Sequence, residues 1–75
     1  MKISELQDKK IINITDGKNI GTISDLEINE DGYITYIHAL ERRFFIKIFS
    51  TNKETIFKIN DIKKIGKDVI LVQID

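Results

Sequence analysis

The chain has 75 residues, with twelve Lys and Arg against twelve Asp and Glu, and neither cysteine nor proline. That length holds one small domain with one core, 1–75, near the size at which a core needs outside help. The absence of cysteine excludes disulfides and thiolate metal sites, and no apolar run approaches the ~20 residues of a membrane-spanning helix.

The opening MKISELQDKK lacks the apolar stretch of a secretory signal, so the expected location is the cytoplasm. Within it, Ser4-Glu5-Leu6-Gln7 matches a capping box, with Ser4 as N-cap and Gln7 reaching back to it. This predicts one helical turn. Residues 9–14, KKIINI, read as a first strand, rich in the β-branched Ile that occupies seventeen positions of the chain.

Residues 15–37, TDGKNIGTISDLEINEDGYITYI, carry the clearest signal. Asp16-Gly17 and Asp31-Gly32 bracket an alternating apolar run and open another. Asp-Gly favours type I′ hairpin turns, which need positive φ at both central residues. The segment therefore reads as three consecutive antiparallel strands. The middle one, Ile20 to Glu30, changes parity: Ile20, Leu26 and Ile28 share one face of an ideal strand and Ile23 the other. Such a switch predicts a β-bulge near Ser24-Asp25. The third strand, Tyr33 to Glu41, has apolar residues on both parities, as expected of a strand covered on both faces or offering one to a partner.

Phe44 to Ser50, FFIKIFS, reads as a fourth strand, Thr51-Asn52-Lys53-Glu54 as a hairpin tip, and Thr55 to Ile59 as a fifth. Asn60 is read as the cap of a helical turn, DIKKI, that stops at a left-handed Gly66. VILVQI, Val69 to Ile74, closes the chain. The predicted fold is all-β: a small closed or nearly closed six-stranded antiparallel β-barrel with one short helical turn near each end.

The order of these elements resembles the PRC-barrel superfamily, and within it the small YlmC/YmxH-like proteins of spore-forming bacteria. The residues that carry the resemblance are Ile3 to Gln7; Asp16-Gly17-Lys18 with Ile20-Gly21; Ile23 to Ile28; Asp31-Gly32; and Ile62 to Val72, IKKIGKDVILV. The middle departs from the pattern. Glu41 to Phe45 stands where relatives tend to carry a glycine-rich loop, and Ile59-Asn60 where they carry Pro-Trp. The resemblance implies a non-catalytic module linked to sporulation, with no catalytic residues to carry over. Relatives of the barrel include the domain by which a ribosome-maturation factor contacts a ribosomal protein and the cytoplasmic part of a photosynthetic reaction-centre subunit.

The residues themselves point the same way. His38 is the sole histidine, with no nucleophile motif or cysteine to make it catalytic or zinc-binding, and reads as an ordinary strand histidine. Asp25, Glu27, Glu30 and Asp31 lack the spacing of a calcium loop and read as solvated carboxylates. Gly17 and Gly21 have no third glycine or following helix and are assigned to a turn and to close backbone packing. No enzyme activity, cofactor or metal is expected. Structural roles fall to Asp16, Gly17, Gly21, Asp31, Gly32 and Gly66.

Charge is distributed unevenly. Residues 1–41 carry four basic and eight acidic groups, 4 − 8 = −4, and residues 42–75 carry eight and four, 8 − 4 = +4. Antiparallel pairing would neutralise the halves across strands; a separate basic face is the other outcome. The functional candidate is Arg42, Arg43, Phe45, Lys47 and Phe49, where aromatics on both parities are flanked by cations. Three readings stay open: both faces inside the monomer, a homodimer interface, or a site for another protein. The rival class is RNA or ribosome binding through Arg42, Arg43, Phe45, Lys47, Phe57 and Lys58, against which stand the zero net charge and the lack of a nucleic-acid signature.

Overall fold

The computed structural model describes residues 1–46 and 49–75, with side chains described for 1–41 and 52–75. A short helix α1 (Ile3–Gln7) leads into β1 (Lys10–Asn13), β2 (Lys18–Ile28), β3 (Ile34–Ile46) and β4 (Phe49–Lys58). A 3-10 turn (Ile59–Asp61) then precedes β5 (Ile62–Ile65) and β6 (Val69–Val72). The six strands form one sheet in the order β4-β3-β2-β1-β6-β5.

The sheet is mixed and does not close, which corrects the expectation of a closed antiparallel barrel. β1 and β6 run parallel, Ile11 opposite Ile70, whereas the other neighbours are antiparallel. The cause lies at residues 59–61. There the 3-10 turn moves the chain sideways from β4 to β5 instead of reversing it, so β6 returns in the direction of β1. The two outermost strands are thus joined by three residues. Such a link reaches on the order of 14 Å, so the sheet must curl until its edges approach.

The core is small and aliphatic but for one aromatic ring: Ile11, Ile23, Ile37, Ala39, Phe57, Ile70 and Val72, with Leu6, Ile20, Leu26, Ile34, Ile62 and Ile74 packed against it. Each buried Ile contributes roughly 1.5–3 kcal/mol of hydrophobic free energy. The predicted bulge is present. Register shifts between Ile23 and Asp25, so Ser24 is the extra residue. Its insertion lets Ile23 and Leu26, of opposite parity, both face the core opposite Ala39 and Ile37.

β2 also bends. Its first residues pair with β1 up to Gly21, and from Thr22 onward it pairs with β3. Gly21 makes this possible with φ +106°; a Cβ there would lie 2.0 Å from the Leu40 carbonyl oxygen.

Several local expectations are corrected. The Asp-Gly turns are not type I′: Gly17 and Gly32 have φ of +72° and +88°, but neither Asp16 nor Asp31 is left-handed. Both loops are longer than two residues and need positive φ at the glycine alone. The Gly17 amide donates to Asn13 O at 2.7 Å, and Asn29 Oδ1 accepts from the amides of Asp31 and Tyr33. Ser4 lies inside α1, whose N-cap is Lys2. Asn60 lies inside the 3-10 turn, and the residues read as helical DIKKI instead supply β5. Gly66 is not left-handed; its amide donates to Val69 O at 2.7 Å in the β5–β6 turn.

The largest correction concerns Thr51 to Glu54. They are strand residues of β4, and Phe44 to Ile46 complete β3, so the predicted fourth strand is divided between β3 and β4 and the predicted fifth falls in β4 up to Lys58. Register decides this. Ile37 opposite Phe57 fixes Leu40 opposite Glu54 and Phe44 opposite Ser50, and the pairing continues to Ile46 opposite Phe49. Core pairing at the root outweighs the turn propensity of Thr-Asn-Lys-Glu.

Candidate interaction surface

Two surfaces emerge from this architecture, both on the β3–β4 hairpin. The first is its distal half. Pairing of β2 with β3 ends at Thr22–Leu40, while β3 and β4 remain paired from Glu41–Lys53 through Arg42–Asn52, Arg43–Thr51 and Phe44–Ser50 to Ile46–Phe49. The hairpin therefore leaves the sheet as a two-stranded ribbon, which accounts for the elongated extents of 43 × 25 × 24 Å.

The predicted interaction residues fall on this ribbon. Arg42 and Arg43 are in β3, Phe45 sits at a register shift between Phe44 and Ile46, and Phe49 opens β4. Lys47 lies outside the described residues, as do the side chains of the other four. Phe57, included in the nucleic-acid alternative, belongs to the core at 3% exposure and offers no stacking face. Of the other residues in that alternative, Arg42, Arg43 and Phe45 lie in β3 and Lys58 ends β4.

The second surface is the outer face of β2, β3 and β4 at the ribbon's root. Successive side chains in a strand alternate faces. Ile37 and Ala39 point into the core, so Tyr36, His38 and Leu40 take the outer face. Across the registers they meet Glu27 and Lys58, Asp25 and Ile56, and Glu54 respectively. Tyr36 and Ile56 are 40% and 49% exposed.

His38 organises this face. Its Nε2 lies 2.8 Å from Glu27 Oε2 and its Nδ1 3.4 Å from Glu54 Oε2, so one imidazole ties β2 to β4 across β3. The hydrogen bond to Glu27 raises its pKa above the ordinary 6.5, opposed by desolvation and aided by Glu54. Sequence reading took His38 as a solitary strand residue. Its partners are eleven and sixteen positions away in the chain, and only the bulge at Ser24 and the β3–β4 register bring them alongside. The two carboxylates approach different ring nitrogens, so the trio does not converge on one point as metal ligands would.

A groove of ≈ 620 Å³ runs between α1 and the bend of β2, lined by Gln7, Lys10, Asn19, Gly21, Thr22, Ser24 and Glu41 among others. It is open, and Ile23 and Leu40 make its lining nearly as apolar as polar. The Lys9 ammonium donates to Gly66 O at 2.8 Å and to Lys67 O, and Asn13 holds both the amide and carbonyl of Ile74. These polar contacts are spent on fixing the fold. Among the described residues no helix is long and apolar enough to cross a membrane.

Comparison with known proteins agrees with the element order. The PRC-barrel domain model matches residues 1–75. The chain is 36% identical over 75 residues to "Probable sporulation protein YlmC" of Bacillus subtilis (strain 168), covering 99% of this chain and 93% of that protein. No solved structure matches the chain.

Proposed function

We propose, from the premise that this chain belongs to the PRC-barrel family, that it is a non-catalytic protein-interaction module acting in the cytoplasm during sporulation. The sporulation context follows the name of its relative. The molecular role follows the ribbon. Isolated two-stranded hairpins are marginal in water, yet this one extends beyond the sheet by five registered pairs. Its sequence, Glu41 to Asn52, contains three of the chain's four phenylalanines together with Arg42, Arg43 and Lys47. Aromatic and arginine side chains are the usual anchors of protein interfaces. An extended, aromatic-rich ribbon suits a partner that buries it.

The experiment is the double variant Phe45→Ser/Phe49→Ser, compared with wild type in affinity capture from sporulating cells and in thermal melting. The expected result is loss of specifically captured protein with little change in melting temperature. Unchanged capture and self-assembly with a clearly lower melting temperature would place these rings inside the monomer and overturn the proposal. Salt-dependent binding of an oligonucleotide by wild type would favour the RNA or ribosome alternative.

A further inference from the structure

β4 is the outermost strand on one side of the sheet, and among the described residues no strand pairs with its outer edge. β5 does not supply one. Followed through the antiparallel neighbours and the parallel β1–β6 pair, β4 and β5 run in the same direction. Parallel neighbours need a crossover of about a dozen residues, whereas three residues join these two, so β5 begins where β4 stops. The edge therefore offers main-chain donors and acceptors to another strand.

Its side chains select which strand. Phe57 points into the core, so by alternation Glu54, Ile56 and Lys58 take the outer face. All three are exposed, the apolar Ile56 at 49%. The outer face of this edge thus reads acid, apolar, base, an order that complements itself when reversed.

We infer that the β4 edge pairs antiparallel with the β4 edge of a second copy of this chain, about a two-fold axis at Ile56, so that two sheets join edge to edge. A two-fold axis normal to the sheet sets each residue opposite one of its own face, and so allows only registers centred on a residue. Centred on Lys53 or Glu54, it opposes like charges at the axis. Centred on Thr55, it sets Glu54 against Ile56 and Lys53 against Phe57. Centred on Phe57, it leaves Glu54 opposite Asn60, past the end of the strand. Centred on Ile56, it pairs Glu54 with Lys58 twice, Thr55 with Phe57 twice, and Ile56 with itself. The Lys58 amide already donates to Asp61 Oδ2 at 3.0 Å, so the ladder ends there and spans Glu54 to Lys58. His38 Nδ1, 3.4 Å from Glu54 Oε2, holds that carboxylate on the outer face, where the second copy's Lys58 meets it. Because the contact is reciprocal, it closes at two copies and does not propagate into fibres. It uses the root of β4 and does not depend on the reading of the ribbon.

The test is light scattering coupled to size exclusion on the full chain over a concentration series. Wild type is expected to reach twice the chain mass. Glu54→Lys and Lys58→Glu are each expected at the single-chain mass, since each opposes like charges twice. Mixing the two variants restores both opposite-charge pairs, so the mixture is expected to regain the double mass. Circular dichroism checks that each variant is folded.

A second measurement does not depend on charge variants folding. The chain has no cysteine, so Ile56→Cys gives a single thiol. Directly opposed strand residues have Cα atoms about 4.5–5.5 Å apart, within reach of a disulfide. Diamide, reduced as the two thiols are oxidised, is expected to link two copies through this position. Lys53→Cys, which this register holds about 20 Å from its own copy, and Lys63→Cys on β5 are expected to remain unlinked. A dimer indifferent to both charge variants, or linking at position 53 or 63 as ready as at 56, would overturn the proposal. A wild type of single-chain mass throughout would overturn it too, and would leave the edge to a strand of another protein.

Discussion

The base of the molecule and its ribbon are built from similar residues and behave as different materials. In the base, β1 and β6 are each flanked by two strands, their Ile11, Ile70 and Val72 have no exposure, and Asn13 and Lys9 fasten the neighbouring loops. In the ribbon, β3 beyond Leu40 has β4 as its registered partner and β2 has turned away. The base holds its Ile by surrounding them. The ribbon carries comparable apolar content without a third strand. The same β-forming composition thus yields a core where strands have neighbours on both sides and a two-stranded ribbon where they do not.

The joint between the regions is the place to break this contrast. Gly21→Ala would drive a methyl into the Leu40 and Glu41 backbone at a φ that alanine rarely adopts. The expected loss exceeds about 4 kcal/mol, or prevents folding altogether, as read by urea denaturation or soluble yield. Within the base, Asn13→Leu would strand the amides of Thr15 and Ile74 and the carbonyl of Ile74. About 2–3 kcal/mol should be lost, and exchange of the Ile74 amide should rise ahead of that in β3. Gly17→Ala and Gly32→Ala meet no atom within 4 Å, so each should cost only the left-handed strain of about 1–2 kcal/mol. That pair is the control showing that Gly21 matters for close packing and not for φ alone.

The smallest effect sharpens the contrast at the root of the ribbon. His38 has a folded-state pKa raised above 6.5 by Glu27 and Glu54. A raised value means that protonated His38 favours the folded state, fully so below 6.5, with the contribution lost as pH rises through the folded-state value. The wild-type melting temperature should therefore decline across that window, and His38→Gln should flatten the decline. An identical pH profile in the variant would show that the bridge does not hold β2 to β4.

Much of the base was legible in the sequence. Asp16-Gly17 and Asp31-Gly32 located both loops, and the displaced Ile23 located the bulge, because each depends on a backbone conformation that few residues allow. The conformations inside the loops were less legible, since Asn13 and Asn29 close them with hydrogen bonds that a two-residue motif does not contain. The ribbon was misread at its tip because Thr-Asn-Lys-Glu satisfies every local rule for a turn. The pairing that overrides it is anchored in the core at Ile37 and Phe57, twenty residues apart. β5 was misread because Asn60 and Gly66 match a helix cap and a helix stop, yet the residues between them are too few for a stable helix and Ile62 to Ile65 pair with β6 instead. The bridge at His38 was invisible for a related reason. It exists only after three strands are in register, and one of those registers includes an extra residue.

The parallel pairing of β1 with β6 also sets an order in time. Hairpins from β1 to β4 join near neighbours, whereas Ile11 and Ile70 must meet across 59 positions. Relative to a pair such as Ile23 and Ala39, closing that longer loop costs about 1 kcal/mol more in chain entropy. The meander should therefore assemble early and the β5–β6 hairpin dock last, completing the burial of Ile11. Until that final step the edge of β1 would stand open, and an Ile-rich edge left waiting is the point at which two nascent chains would first adhere.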